Sequence, residues 1–144
     1  ANPQRVVRAL EVCIGTGRPC SAFRTGRKAE RPFAFVKIGL NRDREELYPR
    51  IDRRVDEMLA AGLVDEARRL YPFKDKNALQ TVGYQEVFGW MDGLYDEAEM
   101  VRLLKRNTRR YAKRQLTFFA RDPEYRWFHP DAFDEVVAYL SDRW

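Results

Sequence analysis

Seven cationic side chains, Arg102, Lys105, Arg106, Arg109, Arg110, Lys113 and Arg114, follow Glu99, and no carboxylate interrupts the run until Asp122. In a helix, at about 100° per residue, these positions cover roughly half of the circumference. Met100, Leu104, Tyr111 and Phe118 gather on the opposite side. Such a helix is expected to dock through one face and to meet negative charge with the other. Neighbouring like charges on a helix repel by roughly 0.2–0.5 kcal/mol per pair. Phosphates relieve that repulsion and release condensed counterions as they do so. The plainer alternative is a solvated face balanced by acidic neighbours. Thr108, Gln115 and Thr117 set hydrogen-bonding groups beside the charges, as nucleic-acid surfaces do. The pattern does not distinguish RNA from DNA.

Arg50, Arg53 and Arg54 form a second basic cluster. Glu46–Arg50 and Arg53–Glu57 have the spacing of helical ion pairs, which accounts for two of the three arginines. Arg54 has no acid four residues away, although Asp52 and Asp56 are close in sequence. An arginine in that situation is either an ordinary surface residue or a bidentate holder of a diphosphate. Gln80, Thr81, Val82, Gly83, Tyr84 and Gln85 read as a polar loop entering a helix. Its glycine stands where backbone needs to approach a ligand closely. Tyr84 either stacks on a base or joins the core. Gln4, Arg5 and Arg8 lie at a helix start, where anions are welcome, or simply form a polar outer face.

Other chemistry is poorly supplied. Cys13, Cys20 and His129 are the only soft or imidazole ligands, too few and too scattered for a metal site. A disulfide is not expected in what reads as an intracellular protein. There is no G-x-x-x-x-G-K-S/T phosphate loop and no dinucleotide-binding glycine motif. A single histidine supports no nucleophilic triad. No catalytic constellation is therefore expected within these residues. The 144 residues are 44% hydrophobic and 13% aromatic, which suits a folded chain. No apolar run reaches bilayer length and no signal segment opens the chain, so a soluble, cytoplasmic protein without a membrane partner is expected.

The elements that must carry these residues are mainly helical. Asn2 and Pro3 open a helix that Gly15 and Gly17 close. Residues 18–32 read as a loop and a domain seam. A helix is expected from Asn41 or Asp43 to Gly62, with Pro49 kinking it or marking its true first turn. Further helices are expected over Val64–Leu70, Gly83–Trp90, Asp96–Phe119 and Asp131–Leu140. Phe33–Leu40 is the best strand, and Tyr125–Phe128 the only other. Only Lys37 breaks the first strand's apolar run, which suits a sheet covered on both faces. Two short strands cannot build such a sheet, so further strands are expected from a longer protein.

Four stretches, NPQRVVRALEV, RIDRRVDEMLAAGLVDEARRL, TVGYQEV and RNTRRYAKRQLTFFARDP, together resemble the tRNA dimethylallyltransferase family in order and spacing. The resemblance runs from Asn2 to Phe128. It implies an enzyme that moves a dimethylallyl group from dimethylallyl diphosphate to N6 of adenosine 37, in the tRNA anticodon stem-loop. It implies an α/β fold with a P-loop NTPase-like core in the intact protein, of which this chain is a mainly α-helical portion with about two short strands. Residues 1–31 would then end an inserted helical tRNA-contacting domain plus linker, and residues 32–144 would be the C-terminal part of the core.

Arg54 matches the family's diphosphate-holding arginine. Gln4, Arg5 and Arg8, then Gln80, Thr81, Val82, Gly83, Tyr84 and Gln85, then Lys113, Arg114, Gln115 and Thr117, match its tRNA-contacting stretches. Relatives often carry a basic residue in place of Gln80 and arginine in place of Ala120. The phosphate loop, the proton-accepting aspartate and the Mg²⁺ ligands belong to the family's N-terminal half, so this chain is expected to be inactive alone. The intact enzyme is expected to be a monomer. A non-catalytic, basic helical module for RNA or DNA is the alternative.

Overall fold

The computed structural model describes residues 2–24 and 32–143. They divide into two compact units, Ala1–Phe35 and Val36–Trp144. In the first, the Asn2 side chain accepts from the backbone N–H groups of Gln4 and Arg5 and so starts helix α1, Pro3–Thr16. Proline suits that first turn because its missing N–H has no helical partner to lose. Gly17, at φ 65°, closes the helix, and its N–H donates to the Cys13 carbonyl. A single 3₁₀ turn follows at Cys20–Phe23. The remainder of the expected 18–32 loop includes residues 25–31, which lie outside the described residues.

The second unit begins with strand β1, Lys37–Leu40. Helices α2 (Arg44–Ala60), α3 (Leu63–Leu70), α4 (Tyr84–Met91) and α5 (Glu97–Phe119) follow, then strand β2 (Tyr125–Phe128) and helix α6 (Phe133–Ser141). The two strands pair in parallel, with Lys37 opposite Tyr125 and Gly39 opposite Trp127. Parallel pairing needs a crossover, which the four helices α2 to α5 supply. Gly39 is required at its position: a Cβ there would come within 2.5 Å of the Trp127 ring.

The expected eight-residue strand is thus only four residues long. A ladder extends only as far as a partner strand, and among the described residues β2 is the only one. Leu40 is exposed rather than enclosed, as are Phe33 and Phe35 in the first unit, whose rings meet edge to face at 4.9 Å. Pro49 neither starts nor breaks α2. The helix begins after Asp43, runs through Pro49 and keeps that residue on its exposed side. Water can there satisfy the carbonyl that proline leaves without a donor.

The core is formed by Val55 of α2, Leu63 and Ala67 of α3, Val87 and Phe88 of α4, and Met100 and Leu104 of α5. The apolar stripe of α5 is buried only over its first half. Tyr111 is 48% exposed and Phe118 65% exposed, which corrects the expectation of one continuous docking face.

Candidate phosphate and nucleic-acid surface

Helices α2 and α5 are joined by two ion pairs one helical turn apart. Asp52 Oδ1 lies 2.5 Å from an Arg109 guanidinium nitrogen, and Asp56 Oδ1 lies 2.7 Å from Lys105 Nζ. Glu99 additionally holds Arg102 at 2.6 Å. Three of the seven cations of α5 therefore have carboxylate partners, which corrects the expectation of a run without any. Two of the three acids, Asp52 and Asp56, come from a helix some fifty residues earlier, at separations of 57 and 49 residues, where sequence spacing gives no sign of them. Among the described residues, Arg106, Arg110, Lys113 and Arg114 have no carboxylate partner.

The same two pairs decide the state of Arg54. Its sequence neighbours Asp52 and Asp56 both point to α5, so neither neutralises it. The two ion pairs expected within α2 are also absent. Glu46 is taken instead by Arg42 and by His129 at 3.1 Å, and Arg53 and Glu57 do not meet. Arg50, Arg53 and Arg54 are exposed and surround a hollow of about 340 Å³ with Leu47, Ile51 and Glu57. Arg54 also reaches a second cavity of about 320 Å³. It is lined by apolar Val55, Leu63 and Leu104 together with Thr81, Val82, Gly83, Thr108 and Tyr111. The structure thereby brings together Arg54, the expected Gly-Tyr loop and α5.

That loop is held from below. Gly83 has φ 111° and ψ −70°, a conformation that side-chain-bearing residues rarely adopt. Its N–H donates to Glu86 Oε2 at 2.8 Å, closing the N-terminus of α4. The other carboxylate oxygen of Glu86 accepts from the Asn107 side-chain amide at 2.7 Å. Glu86 is only 5% exposed. Asn107 lies on another helix, twenty-one residues further along the chain, and no local spacing marks it as the partner of Glu86.

Tyr84 lies with its ring stacked on Phe88, centroids 6.0 Å apart. Its hydroxyl donates to Glu66 at 2.5 Å, and that bond, followed by burial, raises the phenol above its ordinary pKa. Its side chain thus packs against α4 and α3 in this structure. The Gln80 amide nitrogen donates to the Lys74 carbonyl at 2.7 Å, and its oxygen accepts from Gln85 at 3.0 Å. Thr81 is exposed and Val82 half-buried.

Further along α5, Lys113, Arg114, Thr117 and Phe118 share a hollow of about 320 Å³ with Arg121, which is not among the site residues expected from the sequence. Gln115 is turned away from this group. It lines a larger hollow of about 510 Å³ with Arg42, Arg50, Leu116 and Trp127, beside the C-terminal end of β1. In the first unit, Gln4, Arg5 and Arg8 are all exposed on α1, and Arg8 pairs with Glu11 at 2.9 Å.

Glu46, His129 and Asp131 are the one described group with metal-ligand spacing, their ligand atoms within 4.8 Å of one another. All three are exposed and the Arg42 guanidinium already bonds both carboxylates, with Asp131 at 2.7 Å. The positive charge that a metal would supply is thus provided by arginine. Among the described residues, no helix is long and apolar enough to cross a membrane.

The chain as a whole is similar to known proteins. The chain is 60% identical over 140 residues to a tRNA dimethylallyltransferase of Cytophaga hutchinsonii, covering 97% of this chain and 46% of that protein. It is 51% identical over 142 residues to tRNA dimethylallyltransferase 2 of Parabacteroides distasonis, covering 99% and 48%. The chain thus spans about half the length of the curated relatives it matches. Among solved structures, the full-length tRNA isopentenylpyrophosphate transferase of Bacillus halodurans superimposes with a TM-score of 0.69 at 40% identity, over 98% of this chain and 44% of that one. The tRNA delta(2)-isopentenylpyrophosphate transferase of Staphylococcus epidermidis gives 0.71 at 31% identity, over 98% and 49%. Residues 1–122 match the family described as IPP transferase, and on that match across most of its length the chain belongs to this family.

Proposed function

We propose that the protein carrying this chain is a tRNA dimethylallyltransferase, and that these residues supply its hold on tRNA and on the diphosphate of its prenyl donor. The observation that carries this reading is the cavity shared by Arg54, Thr81–Gly83 and Tyr111, with Asp52 and Asp56 drawn away to α5. Arg54 is left with its charge available to an anionic ligand. In the reaction, N6 of an unstacked adenine forms a bond to the allylic carbon of dimethylallyl diphosphate, and the carbon–oxygen bond to diphosphate breaks. Arg54 stabilises the charge that develops on the departing diphosphate, an electrostatic role in which guanidinium geometry suits two phosphoryl oxygens. The proton leaving N6 needs a base, and none of the carboxylates beside Arg54 is assigned that task.

RNA contacts are assigned to three groups. Gln4, Arg5 and Arg8 would serve within a tRNA-contacting domain over residues 1–31. Gln80 to Gln85 would present the loop's exposed polar edge, with Tyr84 anchoring it rather than stacking on a base. Lys113, Arg114, Gln115 and Thr117 would meet phosphate and sugar, with residues 32–144 forming part of a P-loop NTPase-like core. Among the described residues Glu57 is the only carboxylate lining the arginine-rich hollow, so the residues there do not fit Mg²⁺. The tRNA anticodon stem-loop and dimethylallyl diphosphate are the proposed substrates, with a cytoplasmic, monomeric enzyme as the working form.

The test is to incubate the intact protein with dimethylallyl diphosphate and an anticodon stem-loop RNA and to assay prenylated adenosine. Product formation is expected. RNA binding with neither prenyl transfer nor diphosphate affinity would instead favour a non-catalytic basic RNA- or DNA-binding module.

A further inference from the structure

A carboxylate placed among apolar side chains carries a desolvation cost unless its oxygens are satisfied. Glu86 lies between Val87 and Gly83 at the edge of the core, is 5% exposed, and has both oxygens engaged. Capping an eight-residue helix needs only one of them. The second oxygen reaches Asn107 on α5, the helix that carries the basic run. Asn107 in turn accepts, through Oδ1, from Arg106 Nε at 3.2 Å. One continuous chain of hydrogen bonds therefore runs from the Gly83 backbone through Glu86 and Asn107 to the Arg106 guanidinium. Gly83 needs such a restraint, because at φ 111° and ψ −70° it sits in a backbone region with little intrinsic preference to hold it.

We propose that Glu86 and Asn107 are positioning residues for RNA recognition: their hydrogen bond fixes the Gln80–Gln85 loop and Arg106 in register, so that loop and basic helix meet one RNA together. The inference rests on the transferase reading above. Neither side chain touches substrate; both act through Gly83 and Arg106. The brace has a defined polarity, with residue 107 donating and residue 86 accepting on that side. Asn107→Asp abolishes the donor and sets two carboxylates face to face. Adding Glu86→Gln reverses the polarity: the amide introduced at position 86 can donate to the carboxylate introduced at position 107, while its oxygen still accepts from Gly83.

The experiment uses the intact transferase and measures KM for tRNA, KM for dimethylallyl diphosphate and Tm for the parent, N107D, E86Q/N107D and the milder N107A. Loss of a partly buried hydrogen bond to a carboxylate is expected to raise KM for tRNA about tenfold in N107D and less in N107A, with KM for dimethylallyl diphosphate within about twofold of the parent. The double variant is expected to recover most of the loss. Unchanged KM for tRNA in N107D would overturn the proposal. So would KM values for both substrates rising together with a fallen Tm, or a double variant no better than N107D. If N107D does not fold, N107A carries the same two outcomes. A parent protein without transfer activity would instead remove the transferase reading itself.

Discussion

Asp52 and Arg109 face each other across the α2–α5 interface, with oxygen and nitrogen 2.5 Å apart. Together with Asp56 and Lys105, this pair sorts the charges of the molecule into two classes. Lys105 and Arg109 hold helices together, while Arg54, Arg106, Arg110, Lys113 and Arg114 remain without carboxylates among the described residues.

Removing that restraint should return Arg109 to the basic face. Asp52→Ala is expected to cost up to about 1 kcal/mol of stability, since the pair is partly exposed. It should steepen the salt dependence of RNA binding by about one unit of log–log slope. Denaturant titration and binding at several salt concentrations check the two effects; a flatter slope would contradict the assignment.

Lys113→Ala and Arg114→Ala should act in the opposite sense. Each is expected to weaken RNA binding and to lower the salt slope by about one unit, as removal of a phosphate contact does. Neither should change Tm appreciably, because both side chains are exposed and have no carboxylate partner among the described residues. Fluorescence anisotropy with an anticodon stem-loop RNA makes the comparison.

Two core positions should respond for different reasons. Leu104 is 2% exposed between α2, α3 and α4, and Leu104→Ala is expected to cost about 2–5 kcal/mol by leaving a cavity. Gly39→Ala adds a methyl group where the Trp127 ring already stands and is expected to cost about 1–3 kcal/mol through overpacking. Equilibrium unfolding of each variant gives these values directly.

The loops after β1 and β2 supply a pH dependence. Hydrogen bonds from His129 and Arg42 hold the Glu46 carboxyl below its ordinary pKa, and the Arg42 guanidinium does the same for Asp131. Groups depressed on folding contribute stability above their unfolded pKa values and lose it as pH falls through the folded ones. The cluster should therefore be fully stabilising at neutral pH and fade below the ordinary carboxylate range near pH 4. The Tm difference between the parent protein and Asp131→Asn should shrink as pH falls through that range.

Much of this architecture was legible in sequence because it is local. The Asn2 cap, the Gly17 stop, the Asp96 start of α5 and the short strand at Tyr125–Phe128 each follow from residues within one element, with bounds off by one or two positions at α3, α4 and α6. What escaped depends on contacts between elements. Glu46 has the spacing to pair with Arg50, yet the remote His129 loop and Arg42 claim it. Asp52 and Asp56 read as neighbours of Arg54 and prove to be partners of α5. Asn107, set among arginines, gave no sign that it meets a buried carboxylate. The length of β1 also failed to follow from its apolar run, because pairing requires a second strand as well as a suitable first one.

The most direct test of the account is Arg54→Ala in the intact protein, with KM for dimethylallyl diphosphate and affinity for tRNA measured side by side. Loss of a charged, bidentate contact is expected to raise KM for dimethylallyl diphosphate by about 10- to 100-fold while tRNA affinity stays within about twofold. An unchanged KM for the prenyl donor, or an equal loss of both affinities, would contradict the assignment of Arg54 to the diphosphate.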